Sequence, residues 1–414
     1  MTSVVDSLLN LLSFTGLDKS ILLILVLHIP ALSIFLIMVV NATVAVYMER
    51  KVAAFMQDRL GPMEVGLFGF KGGKKFWGGI GQTIADAIKL LTKEDIVPDS
   101  ADKKLMLLAP FIIFIGAFLT FIAVPFSQNL VVSDFNIGVF YIMAMSSVGV
   151  IGIIIAGWSS NNKWSLYGSM RAAAQIVSYE IPIGLSLLLV VLVVGSLNLG
   201  DIVQWQAENR WFIFHSPFTF VAFFIFFISV VAETNRTPFD IPEAESELVA
   251  GWMTEYSGFK WAIFFLSEYA NMMIVSIVAS VVFLGGWLSP LAIINIGIPD
   301  SWMIFDGPFI GIIWLMSKAI FLIFVMMWFR WTFPRLRVDQ LMYLCWKVFI
   351  PFCLANLFFV SIWELIGGLF LAAPEIAIYS IALTLAEVPI SPCYALLRLK
   401  MSDYIKNQSI KKLL

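Results

Sequence analysis

Eight stretches of about twenty mostly apolar residues run through this sequence, and they constrain the fold more than any motif does. About 20 apolar residues in a helix cross a bilayer, where a helix satisfies its own backbone groups. The stretches fall near residues 21–47, 105–126, 137–157, 176–197, 216–234, 261–285, 310–330 and 342–366. A ninth, weaker one at 367–388 contains Pro374, Glu375 and Glu387. It reads either as a further span or as a re-entrant or interfacial helix. Of the 414 residues, 60% are hydrophobic and 13% charged, against ~25% charged in a soluble domain, and the mean hydropathy is +0.92. These values exclude a soluble enzyme, a disordered chain and a nucleic-acid binder with a basic face. The expected fold is all-α: a polytopic membrane protein with eight core transmembrane helices and a candidate ninth.

Charge placement orients the spans, because short cytoplasmic loops collect Lys and Arg. Segment 48–104 holds 10 of the 26 basic residues. Segment 158–175 adds Lys163 and Arg171, 235–260 adds Arg236 and Lys260, and 330–341 adds Arg330, Arg335 and Arg337. Loops 127–136 and 286–309 hold none. The odd-numbered loops are therefore expected in the cytoplasm and the N-terminus outside. The basic tail (Arg398, Lys400, Lys406, Lys411 and Lys412) reaches the cytoplasm with nine spans and not with eight, which favours the ninth. The chain divides into an outside segment at 1–20, an eight-helix membrane domain at 21–366, and an extension at 367–414 with the ninth helix and the tail. No cleavable signal is expected, since the first apolar run lacks a basic n-region and carries Asp6 and Asp18. No internal repeat of the transporter kind is visible.

Cys345, Cys353 and Cys393 make no disulfide framework or metal spacing, and His28 and His215 are too few for a zinc site. No metal and no resident cofactor are expected. Ile80, Ile84, Ala87, Ile88 and Leu91 recur at helical spacing, with Gln82, Asp86, Lys89 and Lys93 opposite. That pattern predicts an amphipathic helix in the headgroup plane on the cytoplasmic side. The glycines before it (Gly61, Gly66, Gly69, Gly72, Gly73, Gly78 and Gly79) predict irregular backbone.

Ionisable groups inside spans are costly, so each marks a candidate site. They are Glu180, Glu233, Glu268, Lys318 and Glu364. Each alone is as well explained by an interhelical bond that fixes packing. Together, four of them carboxylates, they point to groups that take up and release protons when a neighbouring charge moves. Loop 235–260 carries Asp240, Glu243, Glu245, Glu247 and Glu255 against Arg236 and Lys260. Pro242 suits the first turn of a short helix, with Glu243 at its positive end. Glu243 and Glu247 share a face and repel, so one stays protonated or pairs with a distant Arg. A solvated acidic loop is the plainer alternative. Phe239, Ile241, Leu248, Val249 and Trp252, woven between the acids, argue instead for a packed loop. Glu49, Arg50 and Lys51, by themselves, read as anchors at a helix end.

Several segments in order resemble one family: the membrane subunit at the quinone chamber of respiratory complex I, the proton-pumping NADH:quinone oxidoreductase, known as its H subunit in bacteria and with a counterpart in mitochondria. They are Glu49-Arg50-Lys51 with Gln57-Asp58-Arg59-Leu60-Gly61-Pro62; Ala85-Asp86-Ala87-Ile88-Lys89-Leu90-Leu91-Thr92-Lys93-Glu94; and Gly157-Trp158-Ser159-Ser160-Asn161-Asn162-Lys163. Next come Arg171-Ala172-Ala173-Ala174-Gln175 with Ser178-Tyr179-Glu180, Glu233-Thr234-Asn235-Arg236-Thr237-Pro238-Phe239-Asp240, and Glu243-Ala244-Glu245-Ser246-Glu247-Leu248. Arg335-Leu336-Arg337 with Asp339-Gln340-Leu341-Met342 completes the set, which covers roughly residues 21–365.

The resemblance implies a chain that forms the membrane end of a quinone chamber and abuts the peripheral arm. NAD, FMN and iron–sulfur clusters would belong to partner subunits, with quinone as substrate. Other partners would be the small and antiporter-like membrane subunits, the location a bacterial inner membrane, and the activity that of a translocase. Arg50, Arg59 and Asp86 match positions near the chamber. Glu180, Glu233, Asp240, Glu243, Glu245 and Glu247 match a carboxylate relay. Two features depart from the family: a Gly/Lys-rich insertion from Phe70 to Gly81, and the chain beyond 366. Three rivals stay open on the sequence alone. They are the homologous membrane subunit of an energy-converting hydrogenase, a stand-alone ion transporter, and a purely structural anchor.

Overall fold

In the computed structural model of the chain, residues 19–66, 78–128, 130–242, 245–290 and 308–372 are described. Among them every regular element is a helix. The order is α1 (Lys19–Met56), α2 (Gly81–Thr92), α3 (Lys103–Thr120), α4 (Gly138–Ser159), α5 (Lys163–Val194), α6 (Leu199–Glu208), α7 (Pro217–Glu233), α8 (Glu245–Leu248), α9 (Gly258–Phe283), α10 (Pro308–Thr332), α11 (Val338–Tyr343) and α12 (Ile350–Ala372). A π-helical stretch, Leu344–Phe349, joins α11 to α12. Among the described residues, seven helices are long and apolar enough to cross a membrane. The shorter apolar helix α7, of 17 residues, stands in the place of the fifth expected span. Residues 373–388, most of the candidate ninth span, lie outside the described residues, as does the insertion from 70 to 77.

Two helices run beyond their expected limits, for one reason. Helix α5 begins at Lys163, so the loop expected at 158–175 shrinks to a tight turn around Asn161 and Asn162. Polar residues mask this helix in the sequence, yet Ser165, Ser169 and Gln175 are buried with their own hydrogen bonds. Helix α1 likewise continues to Met56 and carries Glu49, Arg50 and Lys51 on regular helix. Glu49 and Lys51 are buried, so neither is a surface anchor.

Local chemistry sets the helix ends. Asp102 caps α3 and Asn162 caps α5 by accepting from backbone N–H groups. Ser216 and Thr219 form a reciprocal cap on α7, with Pro217 in its first turn. Gly152 of α4 lies against Ile113 of α3 so closely that a Cβ would sit 2.4 Å from that side chain. Small residues of this kind let membrane helices approach.

Helix α9 is the axis of the bundle and packs against α1, α2, α3, α6, α7 and α10. At one end the loop from 249 to 257 turns inward. Trp252, Met253 and Tyr256 join a core cluster with residues of α3, α4, α5 and Phe264 of α9. Gly168 of α5 makes this possible, since a Cβ there would come within 2.7 Å of Gly251. The loop is therefore packed, as its apolar residues implied, except that Val249 is 64% exposed.

At the opposite end Lys318 of α10 donates to the carbonyls of Leu284, Gly286 and Leu288 at 2.7, 2.8 and 2.7 Å. Its ammonium also sits 4.2 Å from the Trp211 ring centre. All three of its protons are used on the end of α9, so the geometry makes it a helix cap. Lys318→Met should lower the stability of the solubilised protein by about 2–3 kcal/mol, the scale of charged hydrogen bonds lost. Thermal unfolding checks this, and an unchanged midpoint would contradict the capping role.

Candidate functional site

The end of the bundle formed by the C-termini of α1, α7 and α10 and the start of α9 holds a buried ionic cluster. Arg236, 3% exposed, lies just after α7. Its Nη1 donates to both carboxylate oxygens of Glu49 on α1, at 3.0 and 3.1 Å. Its Nη2 is 3.0 Å from Glu268 on α9. The guanidinium stacks 4.7 Å from the ring centre of Tyr269, whose hydroxyl donates to Glu49. Arg330 of α10 also donates to Glu49. Burial opposes the charge on Arg236, but Glu268 and Glu49 outweigh it and hold its proton well above the ordinary arginine range. Two guanidiniums face two carboxylates, so the cluster is formally neutral.

Gln175 of α5 fixes the turn that carries Arg236. Its amide donates to the carbonyls of Ala232 and Phe239, both at 2.8 Å, and lies 3.1 Å from Asn235 Oδ1. Asn235 adopts a left-handed backbone with φ 51°. Val249 does so with φ 66°, a strained state for a β-branched residue. The Nε of Arg236 is buried with no hydrogen-bond partner among the described residues.

Of the expected chamber residues, Arg50 and Asp86 meet at 2.6 Å, joining α1 to the amphipathic helix α2. Arg59 does not join them: it sits on an exposed turn and donates to Gln57 at 2.7 Å. Helix α2 forms where its periodicity predicts, and Ile84, Ile88 and Leu91 present an exposed apolar stripe.

The expected relay residues divide into a pair on the spanning helices and a pair on the loop after α7. Glu180 of α5 accepts from Ser147 at 3.0 Å, and Glu233 is the last residue of α7. Glu233 lines a cavity of about 70 Å³ together with Ser146, Thr234 and Asn271. That volume admits several waters at about 10–15 Å³ each. Asp240, largely buried, pairs with Arg335 at 3.1 Å, and the exposed Glu247 pairs with Arg171 at 2.6 Å. Burial pushes the Asp240 carboxyl above the ordinary carboxylate range, against the pull of Arg335, and its Oδ1 has no hydrogen-bond partner among the described residues. The hydrogen bond and charge of Arg171 hold Glu247 below that range. Burial raises the Tyr256 phenol to about 12, so it stays neutral against Ser159 at 3.2 Å. Glu243 lies outside the described residues, and so does the side chain of Glu245.

Comparison with known proteins meets this geometry. The family profile described as NADH dehydrogenase matches residues 29–361. The chain belongs to the NADH dehydrogenase family. Family members named as the H subunit of NADH-quinone oxidoreductase are similar over most of it. The one from Chlorobaculum tepidum is 52% identical over 339 residues, covering 81% of this chain and 91% of its own length. That from Bacteroides thetaiotaomicron is 48% identical over 322 residues, with 77% and 86% covered. That from Geobacillus sp. is 48% identical over 320 residues, with 77% and 88% covered. Among the described residues no cluster of His, Cys, Asp and Glu is placed to hold a metal ion.

Glu49, Tyr269 and Arg330 are not legible in the sequence as partners of Arg236. There Glu49 reads as an anchor and Arg330 as a topological charge. The available signal is a carboxylate, Glu268, inside a span that has no base of its own.

The pairing of Glu247 with Arg171 sets a pH dependence. The carboxyl is lowered in the folded state, so the tether holds above the ordinary glutamate value and is lost as pH falls through the lowered one. Amide protection at 245–250, taken relative to intrinsic exchange at each pH, should therefore fall on acidification through and below the ordinary glutamate range and stay flat from neutral upward. Protection that ignores acid in the native chain, or an acid-dependent loss that persists undiminished in Arg171→Ala, would contradict the tether.

Proposed function

We propose that this chain is the chamber-forming membrane subunit, the one named H in its relatives, of a proton-translocating NADH-quinone oxidoreductase. It would form the membrane end of the quinone chamber and pass the effect of quinone reduction to a chain of carboxylates. The Glu49–Arg236–Glu268–Arg330 cluster carries the reading, because it sits beside the Arg50–Asp86 pair on the same turn of α1. The relatives' names support quinone as the substrate and the other subunits of that enzyme as partners. The peripheral-arm subunits would bring NAD, FMN and iron–sulfur clusters. The small and antiporter-like membrane subunits would receive the coupling. The bacterial inner membrane, with the charged end in the cytoplasm, follows from the same reading.

Reduction of quinone to quinol consumes two electrons and two protons per molecule. The electrons arrive from the partner arm. A quinone carbonyl accepts hydrogen bonds, and the free Nε–H of Arg236 and the guanidinium of Arg50 are donors on this chain. Proton demand at the head group draws on nearby acids, and Asp240 is suited by its raised affinity for a proton. A proton given up by Asp240 leaves it charged and tightens its pair with Arg335, its re-protonation loosens that pair, and loop 235–257 shifts with the proton. Glu233, beside the small cavity, and Glu180 then exchange protons in turn.

The energies are of matching size. One charge crossing 100 mV requires ~2.3 kcal/mol. One pKa unit is worth ~1.4 kcal/mol. Changes of a few units at two or three carboxylates suffice.

Glu233→Gln and Glu247→Gln, each assembled in the complex and placed in vesicles, test the relay. Quinone reduction should continue while proton pumping falls about tenfold or more, equivalent to ~1.4 kcal/mol of lost coupling. Full pumping in both variants would refute the relay.

A further inference from the structure

The small cavity beside Glu233 lies between α3, α4, α5, α7 and α9. Its wall is apolar except for Glu233 and four neutral polar side chains, Thr120, Ser146, Thr234 and Asn271. Three of these four already donate their hydroxyl protons locally. Thr120 donates to the Ala117 carbonyl at 2.6 Å, Ser146 to that of Met143 at 2.9 Å, and Thr234 to that of Val230 at 3.1 Å. Each keeps only lone pairs for the cavity. Among the described residues neither the Glu233 carboxyl nor the Asn271 amide has a hydrogen-bond partner. Gly149 of α4 leaves room beside them, since a Cβ there would meet no atom within 4 Å. Asn271 heads the stripe of α9 that lines the cavity, followed by Ile274, Val275 and Val278. It stands one turn beyond Glu268 of the ionic cluster.

We infer that Asn271 is a positioning residue for Glu233 and acts through water held in this cavity. The inference rests on the reading of Glu233 as a member of the relay. A carboxyl and an amide removed from bulk water without partners are both costly. A cavity with several polar groups and room for water removes that cost, because one bridging water serves both. Among the described side chains of the wall, the Asn271 amide carries the only N–H donors not already engaged. It therefore sets how the water points. A water that accepts from the amide turns its own hydrogens toward Glu233, which holds the carboxylate in its charged state. When Glu233 is protonated, its O–H donates to the same water or to the hydroxyl lone pairs of the wall. The acid is thus served in both states with no movement of a helix. Helix α9 then meets the ionic cluster through Glu268 and the relay through Asn271, one turn apart.

The test uses the assembled complex with 13C in the glutamate carboxyls of this chain. Infrared spectra are taken reduced minus oxidised, and the Glu233 band is the protonated-carboxyl band that Glu233→Gln removes. Asn271→Leu keeps the shape of asparagine and loses its amide. In that variant the Glu233 band should move to higher frequency, as a carboxyl does on losing a hydrogen bond. The pumping rate in vesicles should fall about tenfold. Asn271→Gln, which keeps an amide, should restore the band and most of the pumping. Gly149→Val fills the cavity from α4, where the added atoms enter open space, and should move the band in the same direction. It tests the same point where Asn271→Leu does not assemble. A native Glu233 band that stays in place in either Asn271→Leu or Gly149→Val would overturn the inference and leave the relay standing. A native spectrum with no band that Glu233→Gln removes would overturn the relay and the inference together.

Discussion

A charge buried away from water must meet its opposite, and the structure depends on one place where four do. Arg236 is removed from water and held between Glu49 and Glu268, with Arg330 completing the balance. Removing one partner from such a cluster leaves an uncompensated buried charge, typically ~3–5 kcal/mol. The cluster therefore fixes where α1, α9 and α10 sit relative to the turn after α7. It also makes that turn sensitive, since a new charge or proton nearby upsets a closed balance. The proposed coupling role would rest on the same four side chains that fix the helices.

The loop from 235 to 257 joins the ionic cluster to the helix core. Its ion pairs are those of Asp240 with Arg335 and Glu247 with Arg171, and hydrogen bonds from Gln175, Ser165 and Asn162 hold it elsewhere. Beyond the second pair Val249 holds a left-handed backbone while exposed. Trp252 and Tyr256 anchor its far end in the helix core. The exposed pair of Glu247 with Arg171 is weak in its water-facing setting, so it can open without unfolding the anchor. Of the interior acids, Glu233 lies beside a cavity large enough for water, with Thr234 of the loop's first turn in the same wall.

Much of the fold was legible because the bilayer demands long apolar helices, and their positions can be counted along the chain. The amphipathic helix at Gly81–Thr92 was legible for the same reason: period 3.6 survives in sequence. The first half of α5 was not, because Ser165, Ser169, Arg171 and Gln175 read as loop until their buried partners are seen. The site was half legible. Glu180, Glu233, Asp240 and Glu247 stand out as acids in apolar company. The pairing of Arg236 with Glu49 crosses 187 positions, and that of Arg330 with Glu49 crosses 281. No local pattern encodes contacts at such separation; the packing of α1 and α10 around α9 creates them. Lys318 stood out as an ionisable group in a span, and only its three carbonyl partners mark it as a cap.

Coupling through this chain requires buried acids that change protonation when a quinone bound near Arg236 is reduced. Infrared difference spectra of the assembled complex, reduced minus oxidised, report this directly when glutamate and aspartate of this chain alone carry 13C in their carboxyls. The predicted result is a set of isotope-shifted carboxyl bands that appear on quinone reduction and vanish when a chamber inhibitor blocks it. Spectra with quinone bands and no isotope-sensitive carboxyl change would contradict the coupling.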